Sequence, residues 1–289
     1  MFSLNIKGRL VEFQRPAVMA IINATPDSFY SASRAADADD VASRAERALA
    51  EGADIIDLGA YSSRPGAAEV STDEEMRRLV EAVRAVRRVS PDVPLSVDTF
   101  RASVAEAALA EGADIVNDIS GGMLDPEMDS LIARNNTPYI IMHMRGTPST
   151  MVSLTDYSDD GSVTAAVVRF FARRVSELAS KGADQIILDP GFGFAKTAEQ
   201  NWELMAELPL IRESFPRPLL VGISRKSMFY KPLGLTPEAV LPATCYGNTL
   251  ALQGGADILR VHDVGAARQI VDLFSLFPDR SNQVLLTDF

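Results

Sequence analysis

At 289 residues the chain suits one α/β barrel, a fold of about 250 residues. Its 47% hydrophobic and 23% charged residues supply a large core and an ordinary soluble surface. A net charge of −11 argues against nucleic acid or anionic lipid as partners, so an anionic substrate has to be held by a local basic cluster. The single cysteine, Cys245, provides neither a disulfide framework nor a cysteine zinc site and suits a reducing, cytoplasmic setting. No run of about 18 apolar residues reads as a membrane span.

The N-terminal MFSLNIKGRLVEF alternates, carries Lys7 and Arg9 and has no apolar h-region. It reads as a short β-hairpin laid before the first barrel strand, covering the barrel's bottom, and not as a secretory signal. Eight short aliphatic or β-branched runs follow: 18–23, 54–59, 94–98, 114–118, 138–143, 185–189, 218–223 and 257–262. Amphipathic or Ala-rich helices separate most of them, around 39–51, 73–90, 101–111, 163–181 and 198–213. Near-continuous apolar strands are buried on both faces, as in a parallel sheet. Eight such units in this length predict an α/β chain folded as a single (β/α)8 TIM barrel over 1–289, with no linker or second domain. Gly-Ala-Asp recurs at Gly52, Gly112, Gly182 and Gly255, each time closing a helical stretch and opening a strand. Glycine suits a helix end that needs φ > 0, and the Asp starts the strand or its loop.

Nearly every strand ends on a polar residue: Asn23, Asp57, Asp98, Asn117 with Asp118, His143, Asp189, Ser224 and His262. Barrel strands aim their C-terminal ends at the active-site face, so one rim gathers carboxylates, amides and both histidines. The loops that follow are rich in Gly, Pro and small residues, as at Thr25–Phe29, Tyr61–Gly66, Pro190–Thr197 and Ser224–Ser227. Arg64, Arg225, Lys226, Arg260 and His262 concentrate positive charge there, and guanidinium forks suit phosphate oxygens.

The segments INATPDSF, SSRPGA, SVDTF, NDISGG, MHMRGTP, LDPGFGF, GISRKS and RVHDV, in this order over about 18–264, resemble the motif series of the dihydropteroate synthase family of pterin-binding barrels. The resemblance implies a transferase of folate biosynthesis. Such an enzyme joins dihydropterin pyrophosphate to p-aminobenzoate, with loss of pyrophosphate after the C–O bond breaks to leave a pterin cation. It implies that Asp98, Asn117 and Asp189 accept from or pair with the pterin and that Lys226 donates to it. Asn23 would help bind Mg²⁺ with the diphosphate, while Ser63, Arg64, Arg260 and His262 contact the anion. Arg64, Pro65, Phe194 and Ser227 would line the p-aminobenzoate pocket, and the loops after the first two strands would close over the reacting centre. The catalytic set is then Arg64, Lys226, Arg260, His262 and Asp27. The family also implies a homodimer and sensitivity to sulfonamides. His143 reads equally as a pocket residue or as a structural neighbour.

The chain departs from the family pattern at Tyr61, where Glu is frequent, at Ser31, where an Asp with a role near the cation is usual, and at Ala195, where Gly is frequent. These changes bear on the loops rather than the pterin pocket. One alternative is a methyltetrahydrofolate–corrinoid methyltransferase, which shares the pterin pocket but has no need of the cluster Ser63-Arg64, Lys226 and Arg260-Val261-His262. Another is a non-catalytic pterin-binding homologue. An aldolase-type barrel would want its Schiff-base lysine within a strand, whereas Lys226 follows one.

Overall fold

The computed structural model describes residues 1–24, 34–61 and 70–277, and the side chains of 34–37 are outside that description. Two antiparallel strands come first, β1 (Phe2–Ile6) and β2 (Arg9–Phe13), with Phe2 opposite Phe13. Their turn is Lys7-Gly8, both at positive φ, which Gly8 adopts without a Cβ clash. Eight parallel strands follow: β3 (Ala17–Asn23), β4 (Ile55–Gly59), β5 (Leu95–Asp98), β6 (Ile115–Asp118), β7 (Tyr139–Met142), β8 (Ile186–Asp189), β9 (Leu220–Val221) and β10 (Ile258–Val261). Their order is β8-β7-β6-β5-β4-β3-β10-β9, and a parallel bridge between Leu188 and Leu219 brings β9 back to β8. The result is a nearly closed (β/α)8 barrel, as expected. The eight predicted strands are present, but the seventh run shrinks to two residues.

Among the described residues ten α-helices wrap the strands: α1 (Arg34–Ala50), α2 (Thr72–Val89), α3 (Ala102–Ala110), α4 (Met128–Asn135), α5 (Val163–Ser180), α6 (Ala198–Ala206), α7 (Leu208–Ser214), α8 (Ser227–Leu233), α9 (Leu241–Gln253) and α10 (Val264–Phe274). The helix expected over 198–213 is two, α6 and α7, which break at Glu207 just before Leu208-Pro209. Proline lacks an amide N–H and cannot continue a helix from within, but it fits a first turn.

All four Gly-Ala-Asp glycines have positive φ, between 90° and 117°. The Asp that follows has a finer role than starting a strand. Asp54 accepts the amide of Val18, Asp114 that of Leu95 and Asp257 that of Leu219, at 2.8, 3.1 and 2.9 Å. Each carboxylate thus caps the neighbouring strand at its N-terminal end, where the ladder leaves an amide unpaired. Asp184 instead receives the side-chain amide of Asn136.

The core divides by strand parity. One cluster lies between strands and helices, and a second contains Met19, Ile55, Ile115, Ile140, Ile187, Leu220 and Ile258 together with Leu4, Ile6 and Phe13 of the hairpin. The hairpin therefore closes the N-terminal end of the barrel, as the sequence suggests, and seals an apolar floor. Two residues beyond Ile55, Ile115, Ile187 and Ile258 the same inward parity delivers Asp57, Asn117, Asp189 and Arg260, and on β5 Asp98 follows Ser96. An apolar layer beneath a polar one follows directly from the two-residue period.

Candidate active site

Arg260 sits at the centre of the polar layer. Its Nε donates to Asp57 Oδ2 at 2.7 Å, and its Nη2 lies 2.6 Å from both Asp57 Oδ2 and Asp98 Oδ2. Asn117 Nδ2 donates to the same Asp57 oxygen at 3.2 Å. Asp57 is fully buried, and its Oδ1 and the nearby buried Ser96 Oγ have no hydrogen-bond partner among the described residues. Burial works against the charge on Arg260, but Asp57 and Asp98 outweigh it and hold the guanidinium firmly protonated. Burial pushes Asp98 up to about 7; Arg260 opposes this, while Asp57, Glu75 and Asp118 add to it.

Across the barrel Asp189 ends β8, accepts the Gly191 amide at 2.8 Å and is raised by burial against the pull of Lys226. Lys226 precedes α8 and turns inward. Its Nζ donates to the carbonyl of Phe192 and stands 4.8 Å from the centre of the Phe194 ring. Burial lowers Lys226 to about 8, with Asp189 opposing and Arg260 assisting. His262 is exposed at the rim, its Nδ1 3.0 Å from Ser224 Oγ, which also accepts the His262 amide. Ser227 opens α8, half-buried, one residue after Lys226. Asn23 ends β3 with an exposed side chain.

The structure thus gathers Asp98, Asn117, Asp189, Lys226 and Arg260 in the barrel mouth, with Asn23, Phe194, Ser227 and His262 on the same C-terminal side. Asp27, Ser31, Ser63, Arg64 and Pro65 lie outside the described residues, as do the closing loops expected after the first two barrel strands. Three polar residues expected at the rim serve the scaffold instead. Arg225 points away into a fork with Asp263 at 2.7 and 2.8 Å and also holds the carbonyls of Pro237 and Glu238. Asp118 has the outward parity and binds Tyr139 Oη, Ser120 and Gly122. His143 is buried beside Phe170 and Tyr157, where burial and then Lys196 hold its pKa well below the usual value. The choice left open for His143 falls to the structural neighbour.

Two interior residues received no role from the sequence, Asp57 and Lys196. Asp57 carried a signal in its inward parity, two residues beyond Ile55. Lys196 carried none beyond its place in the Gly-Phe-Gly-Phe-Ala-Lys run. Its Nζ is buried among the carbonyls of Gly191 and Phe194 at 2.9 and 3.1 Å, and His143 Nδ1 at 3.1 Å. Burial lowers it to about 7, with Asp189 pulling it back up.

The departures are also located. The Tyr61 ring meets Phe100 edge-on, 5.4 Å between centres, and Arg101 lies over it at 5.5 Å. Ala195 has φ 51°, a left-handed conformation that explains why glycine is frequent there.

The arrangement offers acceptors and donors for a flat heterocycle and cations beside it. Residues 19–262 match the model of the family described as pterin binding enzyme. The dihydropteroate synthase of Synechocystis sp. is 46% identical over 261 residues, 89% of this chain and 88% of that protein. The Escherichia coli dihydropteroate synthase is 38% identical over 260 residues, 89% and 90% of the two chains. The chain spans half the length of a mitochondrial folate synthesis bifunctional protein of Arabidopsis thaliana, at 40% identity. Among solved structures, Xanthomonas albilineans dihydropteroate synthase with 4-aminobenzoic acid superposes with a TM-score of 0.85 at 34% identity, covering 98% of both chains. The Burkholderia cenocepacia enzyme complexed with 7,8-dihydropteroate gives 0.83 at 39% identity, covering 94% of this chain and 95% of that one. A barrel mouth of this composition and relatives of this closeness agree: the chain belongs to the pterin-binding enzyme family, among the dihydropteroate synthases.

Proposed function

We propose that the chain condenses 6-hydroxymethyl-7,8-dihydropterin pyrophosphate with p-aminobenzoate to 7,8-dihydropteroate and pyrophosphate. The observation that carries this reading is the inward set Asp98, Asn117, Asp189 and Lys226, which presents acceptors and one ammonium donor over an apolar floor. A pterin ring has matching N–H, amino, carbonyl and ring-nitrogen groups. Buried charged hydrogen bonds of this kind reject analogues that lack them.

The methylene C–O bond breaks, its electron pair leaves with the diphosphate, and the amine nitrogen of p-aminobenzoate attacks the resulting cation and loses a proton. Asp98 and Asp189 hold the ring and stabilise developing positive charge. His262 stands at the rim toward the departing anion, with Arg260, Ser63 and Arg64 assigned to it by resemblance. Phe194 offers its ring to the aromatic amine, beside Ser227 and Pro65. Asn23 presents an exposed amide oxygen at the end of β3. That hard donor fits Mg²⁺, which takes few protein groups and otherwise substrate phosphate oxygens. The ion would neutralise diphosphate charge. Family resemblance further supports a homodimer acting in the cytoplasm.

The test is turnover by purified protein with both substrates and Mg²⁺, following dihydropteroate and released pyrophosphate. Formation of both in equal amounts is expected. Tight pterin binding without product would replace this reading with a non-catalytic pterin binder.

A further inference from the structure

Lys196 is 8% exposed and lies outside the groups assigned to substrate. Its Nζ meets the carbonyl oxygens of Gly191 at 2.9 Å, Phe194 at 3.1 Å and His143 at 3.4 Å, and the Nδ1 of His143 at 3.1 Å. Three carbonyl dipoles aimed at one point repel one another, and a buried ammonium is what reconciles them. The loop has no slack to separate them. Gly191 has φ 73°, and a Cβ there would stand 2.1 Å from the His143 carbonyl oxygen. The next residue after the lysine, Thr197, begins a capping box with Gln200, so the far end of the loop is fixed as well.

What the loop displays is used in the reaction. The carbonyl of Phe192 accepts from Lys226, and the ring of Phe194 lies under the same ammonium at 4.8 Å. Tyr157 Oη holds the loop from outside by donating to the Ala195 carbonyl at 3.0 Å. Among the described side chains, only Lys196 donates to the carbonyls of both Gly191 and Phe194, beside the loop's own bond from the Phe194 amide to the Gly191 carbonyl at 3.1 Å.

We propose that Lys196 is a positioning residue for the aromatic amine: by gathering the carbonyls of Gly191, Phe194 and His143 it sets the ring of Phe194 in the p-aminobenzoate pocket. The proposal rests on the dihydropteroate synthase reading. Of the pterin contacts, Asp98, Asn117 and Asp189 stand on strands, and Lys226 hydrogen-bonds the loop at the Phe192 carbonyl, which Lys196 does not hold.

The experiment is a double-mutant cycle on the full chain, comparing parent, Lys196→Met, Phe194→Ala and the double variant, with rates normalised to folded protein. Methionine keeps the length and removes the ammonium. Lys196→Met is expected to raise KM for p-aminobenzoate about tenfold and to leave KM for the pterin pyrophosphate within about threefold, by analogy with misplacement of a substrate-positioning group. Adding Phe194→Ala to it should then cost less than about twofold more, because the ring is already displaced. Independent, multiplicative effects would overturn the proposal, as would a lower melting temperature with unchanged kinetic constants. Lys196→Gln retains two N–H donors and takes the place of methionine if that variant does not fold. Failure of both to fold would make Lys196 a stability residue only and overturn the assignment. No turnover by the parent would instead reject the functional reading on which the proposal rests.

Discussion

Asp57→Asn tests the central ion cluster more sharply than removal of any substrate-facing group. Asp57 Oδ2 receives Arg260 twice, at 2.7 and 2.6 Å, and Asn117 once, at 3.2 Å, while Oδ1 is buried with no partner among the described residues. An amide cannot match that pattern. With its nitrogen on the empty side, an N–H₂ group is buried unsatisfied; with its nitrogen toward Arg260, donors face donors. An unmatched buried donor costs about 1–3 kcal/mol, and a neutral in place of a charged acceptor about 1 kcal/mol more. Arg260 keeps Asp98 and is 21% exposed, so about 2–3 kcal/mol is the expected net loss. For a chain of this size that lowers the melting temperature by about 4–8 °C, readable by circular dichroism.

The same substitution has a signed effect on binding. Asp57 is one of the groups that hold Asp98 up at about 7, so without it the Asp98 carboxylate ionises more readily. In the proposed reading the pterin uses that carboxylate as an acceptor. In the parent the ionised fraction is about 0.1 at pH 6 and 0.9 at pH 8, so pterin affinity should weaken about tenfold from pH 8 to pH 6. In Asp57→Asn the midpoint should move below 7. Folding stability runs the other way for this group: its raised pKa means the native state takes the proton first, relieving the charge penalty as pH falls below about 7. Calorimetric titration of a pterin ligand across pH reads the midpoint. A melting temperature within about 1 °C of the parent, with the midpoint unmoved, would refute the reasoning about this cluster.

Gly191→Ala should destabilise by about 3 kcal/mol or more, because a Cβ would stand 2.1 Å from the His143 carbonyl at φ 73°; thermal unfolding checks it, and an unchanged melting temperature contradicts the packing described. Lys226→Ala should weaken pterin pyrophosphate binding and turnover together, since the ammonium is buried beside Asp189; kinetics like the parent's would remove Lys226 from the site. Chelating Mg²⁺ should reduce affinity for pyrophosphate, and calorimetry with equal affinity in both conditions would remove the metal from the reading.

The parts of this molecule legible in its sequence are those written in short runs. Near-continuous apolar runs announce the buried strands β3–β10 and their polar ends announce the rim, so Asp98, Asn117, Asp189 and Arg260 converge as the strand ends suggest. The hairpin is equally plain, because Lys7-Gly8 interrupts two alternating runs. Which face each strand end takes was not legible in the apolar runs: Asp118 and His143 sit one residue out of phase with the inward set, and both face the helical shell. Arg225 illustrates a different limit. It stands next to Lys226, yet a left-handed φ of 55° at Arg225 sends the two side chains apart, and its acceptor Asp263 is 38 residues away. Lys196 shows the same limit, since its partners combine its own loop with the end of β7 and no local pattern encodes their meeting.

The charges in the barrel mouth also constrain where the diphosphate goes. Asp57, Asp98 and Asp189 face Arg260 and Lys226, so the interior has no surplus of cation, and Arg260 is already committed to two carboxylates. A diphosphate seated among them would meet three carboxylates in a poorly solvated space, which is unfavourable. A neutral heterocycle that donates to Asp98 and Asp189 meets no such penalty. In the proposed reading the pterin therefore takes the interior and the diphosphate lies outside it, toward the rim where His262 is exposed and Asn23 ends its strand. On a chain of net charge −11 this leaves the anion dependent on groups brought from elsewhere. Mg²⁺ and Arg64, both assigned by resemblance, would supply that charge in the proposed reading.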